Sequence, residues 1–174
     1  MKHLLSLTMF SLLLFATSIK TNAQKTEEVA IKQTLQQETN SYFHNDYEGW
    51  ANTWVHDSVC YVVRTGISGQ SELMGWNAIS NDYKQSIENL RVMDNASIAP
   101  FLNKKDFHFY INGNMATVSF KQGDILPNFE TCTLIKQNGA WKILNFTHID
   151  NSSYAMLDMM KAMQSFMGKN WMAK

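Results

Sequence analysis

Two runs of β-branched and aromatic residues flank Asn138-Gly139, and their pattern predicts a β-hairpin. An Asn-Gly pair adopts positive φ angles at little cost, as a two-residue type I′ turn requires. The second arm of this hairpin is apolar at five positions: Trp141, Ile143, Leu144, Phe146 and Ile149. A strand that is apolar on both faces is covered on both sides, so we expect helices on one face and a second sheet or subunit on the other.

Apolar residues recur at helical spacing in three segments of the first half of the chain. The first predicted helix spans residues 26–45 and is capped by Thr26. Asp46 is predicted to cap a short second helix, which carries large aromatic residues on one face and is better explained as a core wall than as a cofactor site. A third helix is predicted over residues 76–90.

The remaining pattern predicts two more pairs of strands. These strands are predicted over residues 58–65, 70–74, 107–111 and 115–121. Residues 91–105 show no clear period, and Pro100 excludes a central strand there. Helices followed by hairpin-linked strands indicate an α+β fold, in which an antiparallel sheet curls around the first helix and leaves a hollow.

The two ends of the chain differ in composition from the segment between them. Residues 1–23 combine a short basic start, an apolar stretch and small residues at Thr21 and Ala23, which is typical of a secretory signal peptide cut before Gln24. The alternative is a retained anchor helix. Cleavage predicts an exported protein, periplasmic or secreted, whose main domain spans residues 24–153.

Residues 154–174 are predicted as a C-terminal helical extension with a methionine-rich stripe. The stripe consists of Met156, Met159, Met160, Met163, Phe166 and Met167. Methionine is an adaptable filler of apolar surfaces, so packing against the domain or a second subunit explains the stripe better than copper ligation does.

Charge and cysteine content narrow the possible partners. Lys and Arg number 15 and Asp and Glu also number 15, without a basic cluster, so we expect no nucleic-acid partner and no membrane partner after signal removal. Cys60 and Cys132 both fall in predicted strands, where a disulfide and two buried thiols are both possible. The five histidines show no metal-ligand spacing, so we predict neither a metal nor a cofactor.

Three stretches in this order resemble the NTF2-like (cystatin-like) superfamily and, within it, the SnoaL-like group. They are YFHNDYEGWANTW (residues 42–54), GWNAISNDY (75–83) and GAWKILNF (139–146). The resemblance implies a cone: a strongly bent sheet wrapped on the N-terminal helices, with an apolar pocket at its open end. It also implies a homodimer through the outer sheet face. Members of the superfamily include isomerases, dehydratases, hydrolases, cyclases and ligand-binding proteins, so fold alone does not define activity.

Three residues are candidates for proton transfer. His148 and Asp150 lie two positions apart on a predicted strand, so both point to one face, where a carboxylate could orient an imidazole base. Glu130 lies on the preceding arm, and burial would raise the pKa of its carboxyl. Alternatively, all three lie at the rim of the sheet, in contact with water. The catalytic sets of the epoxide-hydrolysing and steroid-isomerising members have no residue-by-residue match here.

A ligand-binding wall is predicted from aromatic residues on the second and third helices and on the strands. It comprises Trp50, Trp54, Tyr61, Trp76 and Tyr83, with His108 and Tyr110 sharing a face of another strand. We therefore expect the domain to bind a small apolar or amphipathic molecule. The alternatives are a proton-transfer enzyme, favoured by an acid or His inside the pocket, and a protein-interaction module, favoured by a cone filled with its own side chains.

Overall fold

The structure is a computed structural model that describes residues 2–66, 69–90, 94–124 and 127–151. Four helices and six strands are present in these ranges. In chain order they are α1 (Lys2–Phe43), α2 (Tyr47–Ala51), β1 (Tyr61–Gly66), β2 (Gly69–Met74), α3 (Trp76–Asn89), α4 (Asn95–Leu102), β3 (Lys104–Asn112), β4 (Met115–Gln122), β5 (Asn128–Gln137) and β6 (Ala140–Ile149). The predicted C-terminal helix lies outside the described residues.

All six strands form one bent sheet in the order β2-β1-β6-β5-β4-β3. Every neighbouring pair is antiparallel except β1 and β6, which are parallel. The prediction of an antiparallel sheet is therefore wrong at this one pair. Two helices and four strands separate β1 from β6, so no tight turn fixes the direction in which these two strands meet.

The hairpin of β5 and β6 turns at Asn138 and Gly139, whose φ angles of 51° and 82° fit the predicted type I′ turn. Near this turn Lys136 lies opposite Trp141, but the register then shifts so that Thr133 lies opposite Asn145. The residue left over is Leu144. It forms a β-bulge, in which one strand carries a residue that the other does not match.

The bulge decides which side chains of β6 face the helices. Ile143 and Phe146 are three residues apart, yet both are buried in the same core, because the extra residue Leu144 changes the phase of the strand. The expectation that β6 is apolar on both faces is therefore wrong. Most of its apolar residues lie on one face, and the argument for a covered outer face is lost.

The helices pack against the concave face of the sheet in a single core. Ile31 and Leu35 of α1, Trp50 of α2, and Ile79 and Ile87 of α3 are all almost completely buried there. Within the part of the chain whose structure is described, no helix combines the length and apolar character that a membrane crossing requires.

Two helix boundaries follow local signals, and one does not. The Asp46 side chain accepts a hydrogen bond from the Gly49 N–H at 2.9 Å and caps α2, as predicted. The cap predicted at Thr26 is wrong, because α1 continues through that position without a glycine or proline to end it. The unpredicted helix α4 begins after Asp94, whose side chain accepts from the Ser97 N–H, and it accommodates Pro100.

Cys60 and Cys132 are both buried and both free. The Cys60 thiol donates to the Val55 carbonyl oxygen at 3.0 Å, and burial raises the pKa of both thiols. The structure therefore shows two small buried side chains, one of the two possibilities left open by the sequence.

Candidate functional site

A cavity of about 800 Å³ lies between the concave face of the sheet and helices α1, α3 and α4. Its apolar wall includes Tyr42 and Phe43 of α1, Phe101 of α4 and Phe146 of β6. Tyr83 of α3 lies on the same wall, and burial raises the pKa of its hydroxyl. The volume is in the range of sites for small molecules, and the aromatic rings suit an apolar ligand body.

Polar side chains from three adjacent strands form a row on the sheet side of this cavity. Arg64 of β1 lies opposite His148 of β6, and His148 lies opposite Glu130 of β5. All three side chains line the cavity. We call this set the polar row. It combines a guanidinium, an imidazole and a carboxyl within the width of three strands.

His148 and Glu130 form a short hydrogen-bonded pair, with 2.7 Å between Nδ1 of the ring and Oε1 of the carboxyl. The Glu130 side chain is 1% exposed, whereas that of His148 is 32% exposed. Glu130 therefore lies behind the ring, and His148 faces the cavity. In the described part of the chain, no residue bonds to the second Glu130 oxygen, Oε2, which is buried.

Both members of this pair hold a proton more readily than they would in water. Burial raises the pKa of the Glu130 carboxyl, although the His148 hydrogen bond and the charges of His148 and Lys104 oppose this shift. Burial alone would lower the pKa of His148, but the hydrogen bond and charge of Glu130 reverse this, and the pKa is raised. The pair can therefore accept a proton and stabilise it at higher pH than either group could alone in water.

Arg64 is held in place by two residues of α3. Its Nη2 donates to the Asp82 carboxylate at 2.7 Å, and its guanidinium lies over the Tyr83 ring at 4.6 Å from the centroid. These contacts fix the guanidinium next to His148 while one third of the side chain remains exposed.

A second buried polar cluster lies at the α1 side of the cavity. Glu38 accepts hydrogen bonds from the Trp50 indole and the Thr39 hydroxyl, each at 2.9 Å. Lys104 donates to the Thr39 hydroxyl at 2.6 Å and to the Gln122 side chain, and burial lowers the pKa of its ammonium group. Because each side chain has its partners, this cluster orders the wall around Glu38.

No protein-family model matches the sequence, and no curated protein matches it either. Three solved structures are similar over most of this chain. An NTF2-like protein of unknown function from Shewanella baltica is 16% identical, with a TM-score of 0.51, and the match covers 71% of this chain and 92% of that one. A protein from Novosphingobium aromaticivorans, provisionally named a scytalone dehydratase, is 16% identical, with a TM-score of 0.52 and coverage of 74% and 86%. A domain of unknown function with a cystatin-like fold from Nostoc punctiforme is 12% identical, with a TM-score of 0.52 and coverage of 80% and 86%.

This chain has the NTF2-like fold. The predicted α+β class and the resemblance to this superfamily are confirmed at the level of the fold. The cavity lies between the bent sheet and the helices of the NTF2-like cone. At such low sequence identities the comparison defines architecture and leaves activity to the residues of the site.

Within this NTF2-like cone, the three predicted catalytic residues come together at the cavity. His148, Asp150 and Glu130 all line it, but the hydrogen-bond partner found for His148 is Glu130. Among the described residues, no group of three or more His, Cys, Asp or Glu side chains is arranged to hold a metal ion.

Most of the predicted aromatic wall lies in the core of the NTF2-like fold instead of at the cavity. Trp50 and Trp54 are 0% and 2% exposed, and Trp50 stacks on Trp76 and Tyr83 with centroid distances of 5.9 and 4.4 Å. Trp76 also stacks on His56 at 3.9 Å. Flat rings that stack in this way fill the space between the helices. Of the helical residues predicted for the wall, only Tyr83 lines the cavity.

The three predicted wall residues on strands lie on the other face of the sheet. Tyr61 and Tyr110 belong to one row across the strands, and His108 and Tyr110 are exposed, Tyr110 to 71%. The prediction that these residues line the pocket is wrong. In β3 the side chains that pack against the core are those of Phe107 and Phe109.

Sequence reasoning missed Arg64 and Glu38, which both line the cavity. One signal was available for the polar row. The inward apolar residues of β6 alternate regularly up to Ile143, and the alternation is then out of step by one residue at Phe146. That change predicts a bulge and places His148 on the same face as Phe146.

Proposed function

We propose that this domain binds a small amphipathic molecule in its cavity and that His148, supported by Glu130, transfers a proton to or from it. The observation that carries the proposal is the imidazole–carboxyl pair on the cavity wall, joined at 2.7 Å. Carboxyl groups that bond to one ring nitrogen orient the other nitrogen toward a substrate and stabilise the ring when it is protonated.

The arrangement fits a reaction that moves a proton at a carbon atom beside a carbonyl group. When Glu130 is a carboxylate that accepts from Nδ1–H, the Nε2 lone pair of His148 is available as a base. After His148 takes up a proton, Glu130 stabilises the imidazolium, and Nε2–H can return the proton to another atom of the substrate. Isomerisation and elimination of water need only these transfers. The name of the Novosphingobium aromaticivorans protein, a dehydratase, is consistent with this class.

Binding without turnover is the second candidate function, and the aromatic part of the wall supports it. Tyr42, Phe43 and Phe101 offer apolar surface independently of the polar row. An interaction module is less well supported, because the side chains of the described residues leave an open cavity in the cone.

One experiment tests both binding and proton transfer. Binding is followed by the fluorescence of N-phenyl-1-naphthylamine, and proton transfer by the exchange of the acidic C–H protons of 2-tetralone in D₂O, measured by ¹H NMR. We expect His148→Ala to slow the catalysed exchange by about a hundredfold or more, while binding of the probe changes by less than about twofold. His108→Ala is the matched control, because His108 is exposed on the outer face.

The alternatives have distinct results. Equal exchange rates in His148→Ala and His108→Ala would refute the role in proton transfer and leave binding as the function. Absence of probe binding to the wild-type protein would refute the cavity as a ligand site.

A further inference from the structure

We propose that Arg64 anchors a carboxylate or a similar oxyanion of the ligand beside His148, so that the cavity takes small amphipathic acids. This inference rests on the proposed function, because it requires that the cavity bind a ligand. It adds the chemical class of that ligand and the residue that selects it.

Strand register places this anchor next to the ring of His148. Arg64 lies opposite His148 in the parallel pair of β1 and β6, and adjacent strands are about 4.8 Å apart. Both side chains line the cavity, with exposed fractions of 33% and 32%. A carboxylate on the Arg64 fork therefore lies about one strand spacing from His148, whose Nε2 stays available for proton transfer.

The guanidinium retains donors for a ligand after its internal contacts are counted. It has five N–H groups, of which Asp82 accepts one. Even with the Tyr83 hydroxyl as a second acceptor, three N–H groups have no acceptor among the described residues. The stack on the Tyr83 ring fixes the plane of the group, so little side-chain freedom is lost when a carboxylate binds to its edge.

The acidic residues of the cavity wall are mostly engaged elsewhere. Glu130 bonds to His148, and the two oxygens of Glu38 accept from Trp50 and Thr39. Asp150 lies on the wall beside His148, and its negative charge lowers the affinity of this part of the cavity for an anion. The positive end of the cavity is therefore the Arg64–His148 edge, while the aromatic wall takes the apolar body of the ligand.

The test compares an acid with its uncharged amide. 4-Phenylbutanoate and 4-phenylbutanamide each displace N-phenyl-1-naphthylamine, and their dissociation constants are determined for the wild type and for variants. We expect the wild type to prefer the acid. Arg64→Met should weaken binding of the acid by about tenfold or more and of the amide by less than about twofold. Lys121→Met removes a positive charge from an exposed ion pair and should change the affinity for neither ligand.

Two further variants cover the case in which Arg64→Met disturbs α3. Arg64→Lys keeps the charge but loses the planar guanidinium. Its affinity for the acid should therefore lie between the affinities of the wild type and of Arg64→Met. Asp82→Asn removes the competing carboxylate and should strengthen binding of the acid while leaving the amide unchanged.

Specific outcomes would overturn the anchor. They are equal binding of acid and amide by the wild type, equal losses for both ligands in Arg64→Met, and weaker binding of the acid in Asp82→Asn. Failure of the uncharged probe to bind at all would instead refute the proposed function, so the two failures are distinguishable.

Discussion

His148 is the residue whose surroundings most directly affect the proposed chemistry. Glu130 bonds to its Nδ1, and Asp150 adds a negative charge nearby. Burial and the positive charge of Arg64 act in the opposite direction, but the net effect is a raised pKa. The ring therefore carries its proton to higher pH than an imidazole in water does.

We predict that Glu130→Gln lowers the pKa of His148, because the amide removes the negative charge and leaves burial and Arg64 in place. NMR titration of the His148 Cε1–H signal measures the shift. Since the deprotonated ring is the base, the pH profile of 2-tetralone exchange should move to lower pH in the same variant. Asp150→Asn is the comparison and should give a smaller decrease. An unchanged His148 pKa in Glu130→Gln would show that the pair is not coupled.

At the same scale, the stacked aromatic residues show a limit of sequence reasoning. The spacing of Trp50 and Trp54 correctly places both rings inside the domain, and both are buried. Spacing does not tell whether neighbouring rings interlock. Trp50 stacks on Trp76 and Tyr83 at close distances, so these rings form core, and the hollow lies further along the cone.

Among the elements, the β5–β6 hairpin has the largest effect on the site. A two-residue turn at Asn138-Gly139 pairs Lys136 with Trp141, and continuing that register would place Glu130 opposite Thr147. The bulge at Leu144 shifts the partner by one residue, so Glu130 lies opposite His148. The polar row therefore requires that Leu144, four positions before His148, stay outside the ladder.

We predict that deletion of Leu144 keeps the His148–Glu130 pair, because Asn145 then follows Ile143 directly and pairs with Thr133 as before. Phe146 and His148 keep their inward direction, so the pKa of His148 stays raised, and the domain loses only the Leu144 contacts with the core, at a cost of about 1–3 kcal/mol. Urea unfolding measures the free energy, and the His148 NMR titration reports the pair.

Leu144→Ala is the matched variant, because it shortens the side chain but keeps the number of residues. It removes most of the same contacts, so it should cost a similar amount and also leave the raised pKa of His148 in place. If the deletion variant loses the raised pKa of His148, the strand has slipped by one residue and the prediction is wrong.

How far an element could be predicted depends on whether its signal is local. Asn138-Gly139 and Asp46 act through their own backbone angles and hydrogen bonds, and the turn and cap were predicted correctly. The parallel pairing of β1 with β6 and the register of Arg64 with His148 depend on long-range packing. Helix α4 has a local cap at Asp94, but Pro100 by itself argues against a strand without indicating a helix.

For the whole molecule, the outer face of the sheet bears on the predicted homodimer. The part of this face between β4 and β6 is rich in hydroxyl side chains: Thr117, Ser119, Thr131, Thr133 and Thr147. The dimer was predicted because β6 has apolar residues at both odd and even positions. The bulge at Leu144 explains this pattern. The homodimer stays a prediction without that support.

The N-terminal segment bears on where the functional chain begins. Helix α1 runs from Lys2 to Phe43, but its described contacts with the sheet begin at Glu27. There the carboxylate accepts from Lys136 Nζ and Trp141 Nε1, each at 2.7 Å, and these bonds lower the pKa of Glu27. We propose that residues 1–23 are a signal peptide and that the exported domain starts at Gln24.

We predict that a chain starting at Gln24 melts within about 2 °C of the full chain, because the contacts of Glu27 and of the buried residues Ile31 and Leu35 all remain. Glu27→Ala in that shorter chain should cost about 1–2 kcal/mol, since it removes the partly exposed hydrogen bonds from Lys136 and Trp141 to a charged group. Calorimetry measures both effects, and intact mass of the exported protein tests the cleavage point. A larger loss from removing residues 1–23 than from Glu27→Ala would show that this segment belongs to the folded domain, and a mature mass that includes residues 1–23 would refute the cleavage.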